Sequence, residues 1–510
     1  MATTATHLFR LIKWARTLAR HGALRGIERD PMTPAAVRRL VRIARFGARI
    51  PKSPAYSTAF TSLGPAAIKF GQALATRPDL VGPEAAVDLL QLQDNLPPAP
   101  FEEIARAIEQ ALGKPIDALF QSIDPEPVGA ASIAQVHRAV TTDGRQVAVK
   151  VLRPGVEEDF ARALDTYEWA AAQAEAMGGD LERLRPRLVV ATFRQWTMRE
   201  LDLRREAASA SELAQSMEAE PGYVIPSIDW LRTARRVMTL EWIDGVKVSR
   251  RDELIAAGHD LTELAGRLVR AFLRQAISEG FFHADMHQGN LLVRADGSIV
   301  AIDFGIMGRV DRRARMWLAE ILYGLITGNY ERVAEIHFEA GYVPAHHNIA
   351  EFTTALRAVG EPIRGLPVKD ISIGNMLDGL FAITRDFDMP TQPHLLLLQK
   401  TMVMVEGVAQ TLDPEINMWD TAAPFVREWI RAEIGPEAWA ADRIVEFGRT
   451  VALVPDLIRR LDTMLPKPGA APPTPPLIDI NVVGVSSGLR YGTVALIAAA
   501  LGSGLTLLLG

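Results

Sequence analysis

The chain has 510 residues, 48% of them hydrophobic, and a formal net charge of −5. This length exceeds that of one typical domain, so we expect two or three structural units with substantial apolar cores. The small net charge gives no indication of a nucleic-acid partner, and the lack of cysteine excludes disulfides, thiolate metal sites and a cysteine nucleophile.

The N-terminal segment, residues 7–52, is basic, with twelve arginines and lysines against Glu28 and Asp30. Its positive charges interrupt the apolar residues, which argues against a secretory signal peptide. Apolar positions at helical spacing accompany the charges, namely Leu8, Leu11, Ile12 and Ala15. Such a helix would lie on an anionic membrane surface with its basic side in the headgroups. A helix packed on the main body is an equally supported alternative.

Residues 60–94 form a predicted helical region interrupted by prolines, and the Pro-rich run at 96–100 marks a break before the next unit. Lys69 and Gln72 lie three positions apart in this region and therefore share one helical face. By this pattern alone both are surface residues, although the shared face could direct both side chains into one site.

Residues 127–152 have the pattern of the start of a nucleotide-binding β-lobe. The segment from Gly129 to Val136 has the outline of a kinase phosphate loop, with Ala131 and Ala134 in place of the second and third glycines. Each alanine adds a methyl group where backbone should approach phosphate, so ATP is expected to bind differently here. The predicted nucleotide contacts in this loop are Gly129, Ala130, Ala131, Ser132, Ala134 and Val136.

An Asp-Gly turn then precedes Val-Ala-Val-Lys, which matches the kinase strand whose lysine, here Lys150, reaches phosphate oxygens. An ordinary alternating strand that ends in an exposed lysine is the alternative. The lysine needs a carboxylate partner, and the segment 199–206 offers Glu200 and Glu206. The pattern does not separate the two, and Glu200 is preferred.

Residues 237–245 have the pattern of a buried strand that runs into a polar connector. In a two-lobed nucleotide site this connector is the hinge, where backbone amide and carbonyl groups recognise adenine. Glu241 is the cofactor-binding residue predicted in this stretch.

The segment 280–308 has the clearest chemistry. Asp285 is followed five positions later by Asn290, and two apolar runs around an Asp-Gly turn separate Asn290 from Asp303. A hairpin with this turn brings Asn290 and Asp303 to the same end of the paired strands. Their side-chain oxygens can hold Mg²⁺, while Asp285 orients or accepts a proton from an incoming hydroxyl or water. Turn and capping roles are the alternative for each residue alone.

Two pairs of nearby histidines suggest a metal, namely His283 with His287 and His346 with His347. A zinc site needs a third protein ligand at compatible spacing. Neither pair has one in the sequence, so zinc is not predicted.

After Gly308 the sequence predicts helices to about residue 463, followed by a stiff Pro-rich linker. Residues 491–510 carry no charge, which predicts one transmembrane helix. Arg490 favours a cytoplasmic position for the preceding flank. Small residues recur at every fourth position before and into this span, namely Gly484, Gly488 and Gly492. Such a face of small residues would pair two of these tails as a homodimer.

Together these motifs resemble the UbiB/ABC1/Coq8 family of atypical protein-kinase-like proteins. The matching segments are KFGQ at 69–72, GAASIAQVH at 129–137, VAVK at 147–150, ELD at 200–202, HADMHQGN at 283–290 and DFG at 303–305. They follow the family's order. Two features depart from it: Met286 and Gln288 replace the prolines of the usual HADPHPGN, and one membrane span is predicted where bacterial members commonly have two.

The resemblance implies an α+β, two-lobed protein-kinase-like fold with an N-terminal helical extension, to which the tail adds a C-terminal transmembrane helix. It also implies that the K-x-G-Q helix covers the site where a protein substrate would dock, which makes Lys69 and Gln72 active-site residues. The implied cofactors are ATP and Mg²⁺. The implied role is ATP hydrolysis in ubiquinone biosynthesis, with polyprenylated quinone precursors and ubiquinone-biosynthesis enzymes as partners.

Two other functions remain open: a kinase acting on a small molecule or protein, and a non-catalytic lipid-binding scaffold. The complete set of Lys150, Asp285, Asn290 and Asp303 argues against the scaffold. The expected location is the inner (cytoplasmic) membrane, with the body facing the cytoplasm. The predicted domains are the extension (1–100), N-lobe (101–245), helical C-lobe (246–465), linker (466–480) and membrane tail (481–510).

Overall fold

The structure is a computed structural model, and it describes residues 3–24, 41–46, 51, 54–75, 81, 83–89, 92, 96–176, 185–364, 383–384, 386–390, 393–416 and 418–434. These residues form two compact units. The first contains residues up to Ala208 together with Ser227–Trp242, and the second contains Ser209–Pro226 and the described residues from Ile243 onward.

The secondary structure within the described ranges has the following bounds. The strands are β1 (Phe120–Ile123), β2 (Gly129–Ala130), β3 (Ala134–Thr141), β4 (Gln146–Leu152), β5 (Tyr223–Val224), β6 (Val237–Glu241), β7 (Val246–Lys247), β8 (Phe281–His283), β9 (Leu291–Val293), β10 (Ile299–Ala301) and β11 (Met307–Arg309). The α-helices are α1 (Thr4–Arg20), α2 (Tyr56–Leu63), α3 (Pro65–Ala75), α4 (Pro83–Leu89), α5 (Phe101–Leu112), α6 (Ile116–Leu119), α7 (Val156–Ala176), α8 (Pro186–Glu200), α9 (Leu203–Ser216), α10 (Arg251–Ala256), α11 (Leu261–Leu273), α12 (Arg312–Thr327), α13 (Tyr330–Glu339), α14 (Ile349–Arg364), α15 (Pro393–Leu412) and α16 (Met418–Ile434). A π-helical segment, Arg274–Glu279, follows α11.

The sheet of the first unit is antiparallel, with strand order β1-β3-β4-β6 and with β2 paired to β3. Residues alternate between the two faces of β4, so its valines are buried on one face while Lys150 belongs to the other. Ile104 and Ile108 of α5 cover the valine face. Lys150 stands between Val136 of β3 and Met238 of β6. The predicted Val-Ala-Val-Lys strand is therefore confirmed, and its lysine lies on a central strand.

The helix α1 packs on protein with its apolar side. Leu11 and Ala15 are buried against Ala170 of α7. Of the two roles left open for this segment, the structure supports the packed helix. Its opposite side still exposes Phe9 and Ile12 beside basic residues, so the predicted membrane contact stays a prediction.

The K-F-G-Q segment lies on α3, where glycine permits close packing. A Cβ at Gly71 would lie 2.5 Å from Cδ1 of Leu92 and 2.7 Å from Cδ1 of Phe60. The neighbouring Phe70 stacks on Tyr167 of α7, with ring centroids 4.8 Å apart. The first unit therefore has a helical core around this motif, separate from the core under the sheet.

The second unit contains the predicted hairpin. Strands β9 and β10 pair antiparallel, with Ile299 opposite Val293 and Ala301 opposite Leu291. Gly297 closes the turn at a φ of 79°, a value that favours glycine. Strands β5 and β7 flank this hairpin, and β8 pairs separately with β11. The structure confirms the hairpin.

Helices make up the rest of the second unit. The amphipathic α11 packs against α15 and α16. A further core joins α12, α13 and α14, with Tyr330 and Phe352 fully buried in it. The described residues thus form a mixed α+β fold with a helical segment.

No helix within the described ranges is long and apolar enough to cross a membrane. The predicted transmembrane helix at 491–510, the glycines of the proposed homodimer contact and the Pro-rich linker all lie outside those ranges.

Candidate functional site

The loop that carries Asp285 begins at the end of β8 and is organised by a buried histidine. The ring Nδ1 of His283 accepts a hydrogen bond from the backbone nitrogen of Asp285 at 3.1 Å. Its Nε2 bonds to the backbone oxygen of Asp303. Burial lowers the pKa of His283, although the nearby Asp303 opposes the shift. A neutral ring with its proton on Nε2 satisfies both contacts, so His283 links the two loops as a brace and not as a metal ligand.

Gln275 of the π-helical segment supports this brace. Its side-chain oxygen accepts a hydrogen bond from the backbone nitrogen of His283 at 3.0 Å. Both residues are fully buried. π-Helical turns occur often near functional sites, and this one places Gln275 directly beneath the loop. No sequence pattern indicated a role for Gln275, because a glutamine within an apolar helical pattern is ordinarily a surface residue.

Asn290 and Asp303 lie at the same end of the hairpin, as predicted. The backbone nitrogen of Ile302 donates to the backbone oxygen of Asn290 at 3.1 Å, which holds the two strand ends together. The Nδ2 of Asn290 donates to the backbone oxygen of Asp285 at 3.1 Å. The Oδ1 of Asp303 accepts from the backbone nitrogen of Gly305 at 3.0 Å. These bonds orient one amide oxygen and one carboxylate at a shared end of the paired strands.

Asp285 is partly exposed, with 27% of its side chain accessible. Its Oδ2 lies 3.7 Å from Nε2 of His287. The loop continues through His287, whose Nδ1 accepts a hydrogen bond from the backbone nitrogen of Gly289 at 3.0 Å. The carboxylate of Asp285 is thus accessible to water while the backbone around it is held at several points.

Lys150 of the first unit is paired with a carboxylate, but with the second of the two candidates. Its Nζ lies 2.6 Å from Oε1 of Glu206, and only 16% and 9% of the two side chains are exposed. Glu200, the preferred partner in the sequence analysis, instead forms an ion pair with Lys69 at 3.7 Å. The structure corrects that assignment and gives the pairing role to Glu206.

The reason for the correction is a break between two helices. Helix α8 ends at Glu200 and α9 begins at Leu203, so the two glutamates belong to different helices. Glu206 lies on the buried side of α9, a side that also carries Leu203, Ala207, Ala210 and Leu213. This stripe of apolar residues around one acidic residue was the sequence signal that would have separated Glu206 from Glu200.

Lys69 and Gln72 share one face of α3, as their spacing predicts. Lys69 has 19% of its side chain exposed, in its ion pair with Glu200. The Nε2 of Gln72 donates to the backbone oxygen of Leu92 at 3.3 Å. Both side chains are therefore partly buried and bonded within the first unit, which corrects the interpretation from pattern alone that they are surface residues. Their active-site role stays a prediction.

The predicted phosphate loop is a tight hairpin between β2 and β3. Gly129 is paired with Val136, and the backbone nitrogen of Ala131 donates to the backbone oxygen of Ala134 at 2.8 Å. No residue of this loop has a positive φ, so alanine at 131 and 134 is accommodated without backbone strain. Ser132 is fully buried at the tip of the loop. The nucleotide contacts assigned to 129–136 stay predictions.

The hinge residue Glu241 ends β6. Its side chain accepts hydrogen bonds from the backbone nitrogen and the hydroxyl of Ser227 at 3.3 and 3.0 Å, and its own backbone nitrogen donates to the oxygen of Ser227. The next residue, Trp242, bonds to the oxygen of Gln146. The connector is thereby fixed to the sheet. Adenine recognition at Glu241 stays a prediction.

The sequence is similar to those of known proteins. The chain matches the model of the ABC1 atypical kinase-like domain over residues 91–337 and that of the UbiB helical domain over residues 356–417. The "Probable protein kinase UbiB" of Marinobacter nauticus is 42% identical over 382 residues, which are 74% of this chain and 70% of that protein. The chain belongs to the UbiB family. It is a UbiB homologue, an atypical kinase-like protein of ubiquinone biosynthesis.

A solved structure is also similar to this UbiB homologue. It is the complex of Rv3197 with erythromycin from Mycobacterium tuberculosis, at 25% sequence identity and a TM-score of 0.49. The similarity covers 72% of this chain and 89% of that chain.

The UbiB homologue keeps an ordered loop after β8 although Met286 and Gln288 replace two prolines of the family pattern. Met286 is fully buried, as is Ala284 two positions before it. The hydroxyl of Thr401 donates to the backbone oxygen of Ala284 at 3.3 Å. Burial of a methionine side chain thus anchors the loop at the position where a proline would have stiffened the backbone.

Proposed function

We propose that this UbiB homologue binds Mg²⁺-ATP and hydrolyses it in support of ubiquinone biosynthesis at a membrane. The observation that carries the proposal is the Lys150–Glu206 ion pair of 2.6 Å on the central strand of the first unit. A lysine placed in this way, with a carboxylate that holds its ammonium group, is what kinase-type nucleotide sites use to contact phosphate. An ordinary surface lysine would not need a buried partner.

The donor set at the end of the hairpin fits Mg²⁺. Asn290 commits its Nδ2 to the backbone oxygen of Asp285, so the Oδ1 is the atom directed to a ligand. Asp303 adds a carboxylate beside it. Both are oxygen ligands, which Mg²⁺ prefers over nitrogen. When bound, Mg²⁺ would neutralise charge on the phosphates.

The other residues would act on phosphate and water. Lys150 would donate hydrogen bonds to phosphate oxygens, and Glu206 would keep its ammonium group in place. The accessible carboxylate of Asp285 would accept a hydrogen bond from water and orient it for attack. His283 would hold the backbone of Asp285 and Asp303 without contacting the reactants.

The test is phosphate release by the purified full-length protein, measured with and without anionic liposomes and a quinone-precursor mimic. Asp285→Asn should lose most of the phosphate release while it still binds ATP. Asp296→Asn is the matched control, because Asp296 is an exposed residue of the hairpin turn. Unchanged phosphate release by Asp285→Asn, with release by the wild type above background, would contradict the role of Asp285.

A kinase is the second candidate, because the Marinobacter relative is named a probable protein kinase. It would use the same residues, with a substrate hydroxyl in place of water at Asp285. The two functions differ in their product. Radiolabelled phosphate transferred from ATP to a lipid or protein, in place of free phosphate, would favour the kinase.

We also propose that the body binds the cytoplasmic surface of the inner membrane. Support comes from the outer side of α1, where Phe9 is 70% exposed and Ile12 lies one turn further on. Lys13 and Arg16 share this exposed side, and a mixed apolar and basic side suits anionic headgroups. Liposome flotation should show binding to anionic vesicles that weakens in Phe9→Ser. Equal binding of both proteins to anionic and neutral vesicles would contradict this contact.

A further inference from the structure

Two adjacent histidines of the second unit converge on a distant aspartate. His346 and His347 lie in the turn before α14. The Nε2 atoms of His346 and His347 lie 3.9 and 3.4 Å from Oδ2 of Asp388. One potential ligand atom from each of the three residues lies within 4.8 Å of the others. The spacing of 41 residues between His347 and Asp388 explains why the sequence offered no third ligand for this pair.

The fold fixes the histidine side of the cluster. The backbone nitrogen of His347 donates to the oxygen of Pro344 at 3.1 Å. The next residue, Asn348, accepts from the backbone nitrogen of Ala350 at 2.8 Å through its side chain and so begins α14. The two rings lie 4.2 Å apart by their centroids. The histidines are therefore positioned by a hydrogen-bonded turn at the start of a helix.

An aromatic cluster fixes the aspartate side. Phe387, directly before Asp388, packs against the ring of His347 at 5.2 Å and against the fully buried Phe352 at 4.9 Å. The backbone nitrogens of Phe387 and Met389 donate to Ile383 and Thr384, at 3.0 and 2.8 Å. Phe387 thus anchors the turn that presents Asp388.

Two features of the cluster call for an explanation beyond a surface ion pair. The Nε2 of His347 is buried and makes no hydrogen bond within the described residues, because its contact with Asp388 lacks hydrogen-bond geometry. Asp388 has a φ of 48°, in the left-handed region that most non-glycine residues avoid and that aspartate enters more readily than most. Exposed ion pairs are worth at most about 1 kcal/mol, which is too little to justify such an arrangement.

We propose that His346, His347 and Asp388 form a binding site for a divalent transition metal of the zinc type. Two imidazoles and one carboxylate are a frequent ligand set for such metals, with water in the remaining position. Bond lengths near 2.1 Å in a tetrahedral site place the ligand atoms about 3.4 Å apart. The 3.4 Å between His347 and Asp388 already meets this distance, and His346 would have to approach Asp388 by about half an ångström from 3.9 Å.

This site differs in chemistry from the magnesium donors at Asn290 and Asp303. Imidazole suits zinc, nickel, copper and cobalt, whereas magnesium takes oxygen ligands. A metal held here would cross-link the start of α14 to the turn at Asp388 and close the intervening chain as a loop. The inference does not depend on the proposed ATPase function.

The test uses the full-length protein purified without a histidine tag, since a tag would bind the same metals. Co²⁺ is the probe because its visible absorption reports the coordination number. We expect one equivalent of Co²⁺ with the strong absorption of a four-coordinate site, and displacement of Co²⁺ by Zn²⁺. His347→Ala and Asp388→Asn should each weaken Co²⁺ binding at least tenfold.

His259→Ala is the matched control, because His259 lies in the same unit outside the cluster and should leave Co²⁺ binding unchanged. Asp388→Asn preserves size and shape on an exposed turn, so its result stands if His347→Ala fails to fold. Equal Co²⁺ binding by the wild type and Asp388→Asn would show adventitious binding only and overturn the proposal. Absence of Co²⁺ binding by the wild type at millimolar metal would overturn it as well.

Discussion

Replacing Glu206 with glutamine should weaken ATP binding far more than the same replacement at Glu200. The change removes the negative charge from a pair whose atoms lie 2.6 Å apart, while it keeps the size of the side chain. Lys150 would then keep a largely buried ammonium group without its nearest carboxylate. Glu200 pairs with Lys69 at the longer distance of 3.7 Å, so its replacement leaves Lys150 and Glu206 intact.

The expected loss of unfolding free energy depends on how deeply each ion pair is buried. Only 16% of Lys150 and 9% of Glu206 are exposed, and removal of one partner from a buried pair costs about 3 to 5 kcal/mol. Glutamine retains a hydrogen-bond acceptor, so we expect the lower end, about 3 kcal/mol of unfolding free energy. The Lys69–Glu200 pair is more exposed, at 19% and 29%. Its loss should cost at most about 1 kcal/mol.

Two assays separate the variants. Chemical denaturation gives the free energies of unfolding, and titration with a fluorescent ATP analogue in excess Mg²⁺ gives the affinities. We expect Glu206→Gln to bind the analogue at least tenfold more weakly than the wild type, a change of about 1.4 kcal/mol. Glu200→Gln should stay within about threefold of the wild type. A larger loss of affinity in Glu200→Gln than in Glu206→Gln would refute the assignment of Glu206.

Two further predictions concern stability. Gly71→Ala should lower the free energy of unfolding by about 1 kcal/mol, because crowding against Leu92 and Phe60 outweighs the gain in helix propensity. Gly407→Ala is the control and should raise the free energy of unfolding, because nothing lies within 4 Å of the added carbon. A change of the same sign in both variants would contradict the packing argument. Burial raises the pKa of Glu406 to about 7. The stability that this carboxyl group contributes to the folded state is therefore fully present below its unfolded pKa of about 4.5 and is lost as pH rises through 7. The difference in unfolding free energy between Glu406→Gln and the wild type should therefore grow by about 1 kcal/mol from pH 5 to pH 8, less than the full shift because water screens this half-buried carboxyl group, and a constant difference would contradict this shift.

The hairpin and the lysine strand could be predicted from the sequence because local patterns determine both. Alternating valines specify the faces of β4, and an Asp-Gly pair between two apolar runs specifies the register that aligns Ile299 with Val293. The shared position of Asn290 and Asp303 at one end of the hairpin could be predicted from the hairpin alone. Their relative placement required no knowledge of the remaining fold.

Other features depend on contacts that local sequence patterns do not specify. The apolar stripe around Glu206 indicates a buried side chain, but its pairing with Lys150 is a contact across 56 residues of the chain. Gln275 supports the loop that carries Asp285 because an irregular π-helical turn places its side chain beside the backbone of His283. Asp388 lies close to His346 and His347, although 41 residues separate it from His347 in the sequence. A pattern based on local spacing cannot contain such pairings.

A magnesium-dependent ATP site at the hairpin requires the carboxylate of Asp303, which Asp303→Asn removes. The variant replaces one carboxylate oxygen with an amide nitrogen, which Mg²⁺ does not accept as a ligand. Isothermal titration with Mg²⁺-ATP should show binding by the wild type and by the control Asp296→Asn, and no measurable binding by Asp303→Asn. Unchanged affinity of Asp303→Asn for Mg²⁺-ATP would contradict a magnesium-dependent ATP site at Asp303.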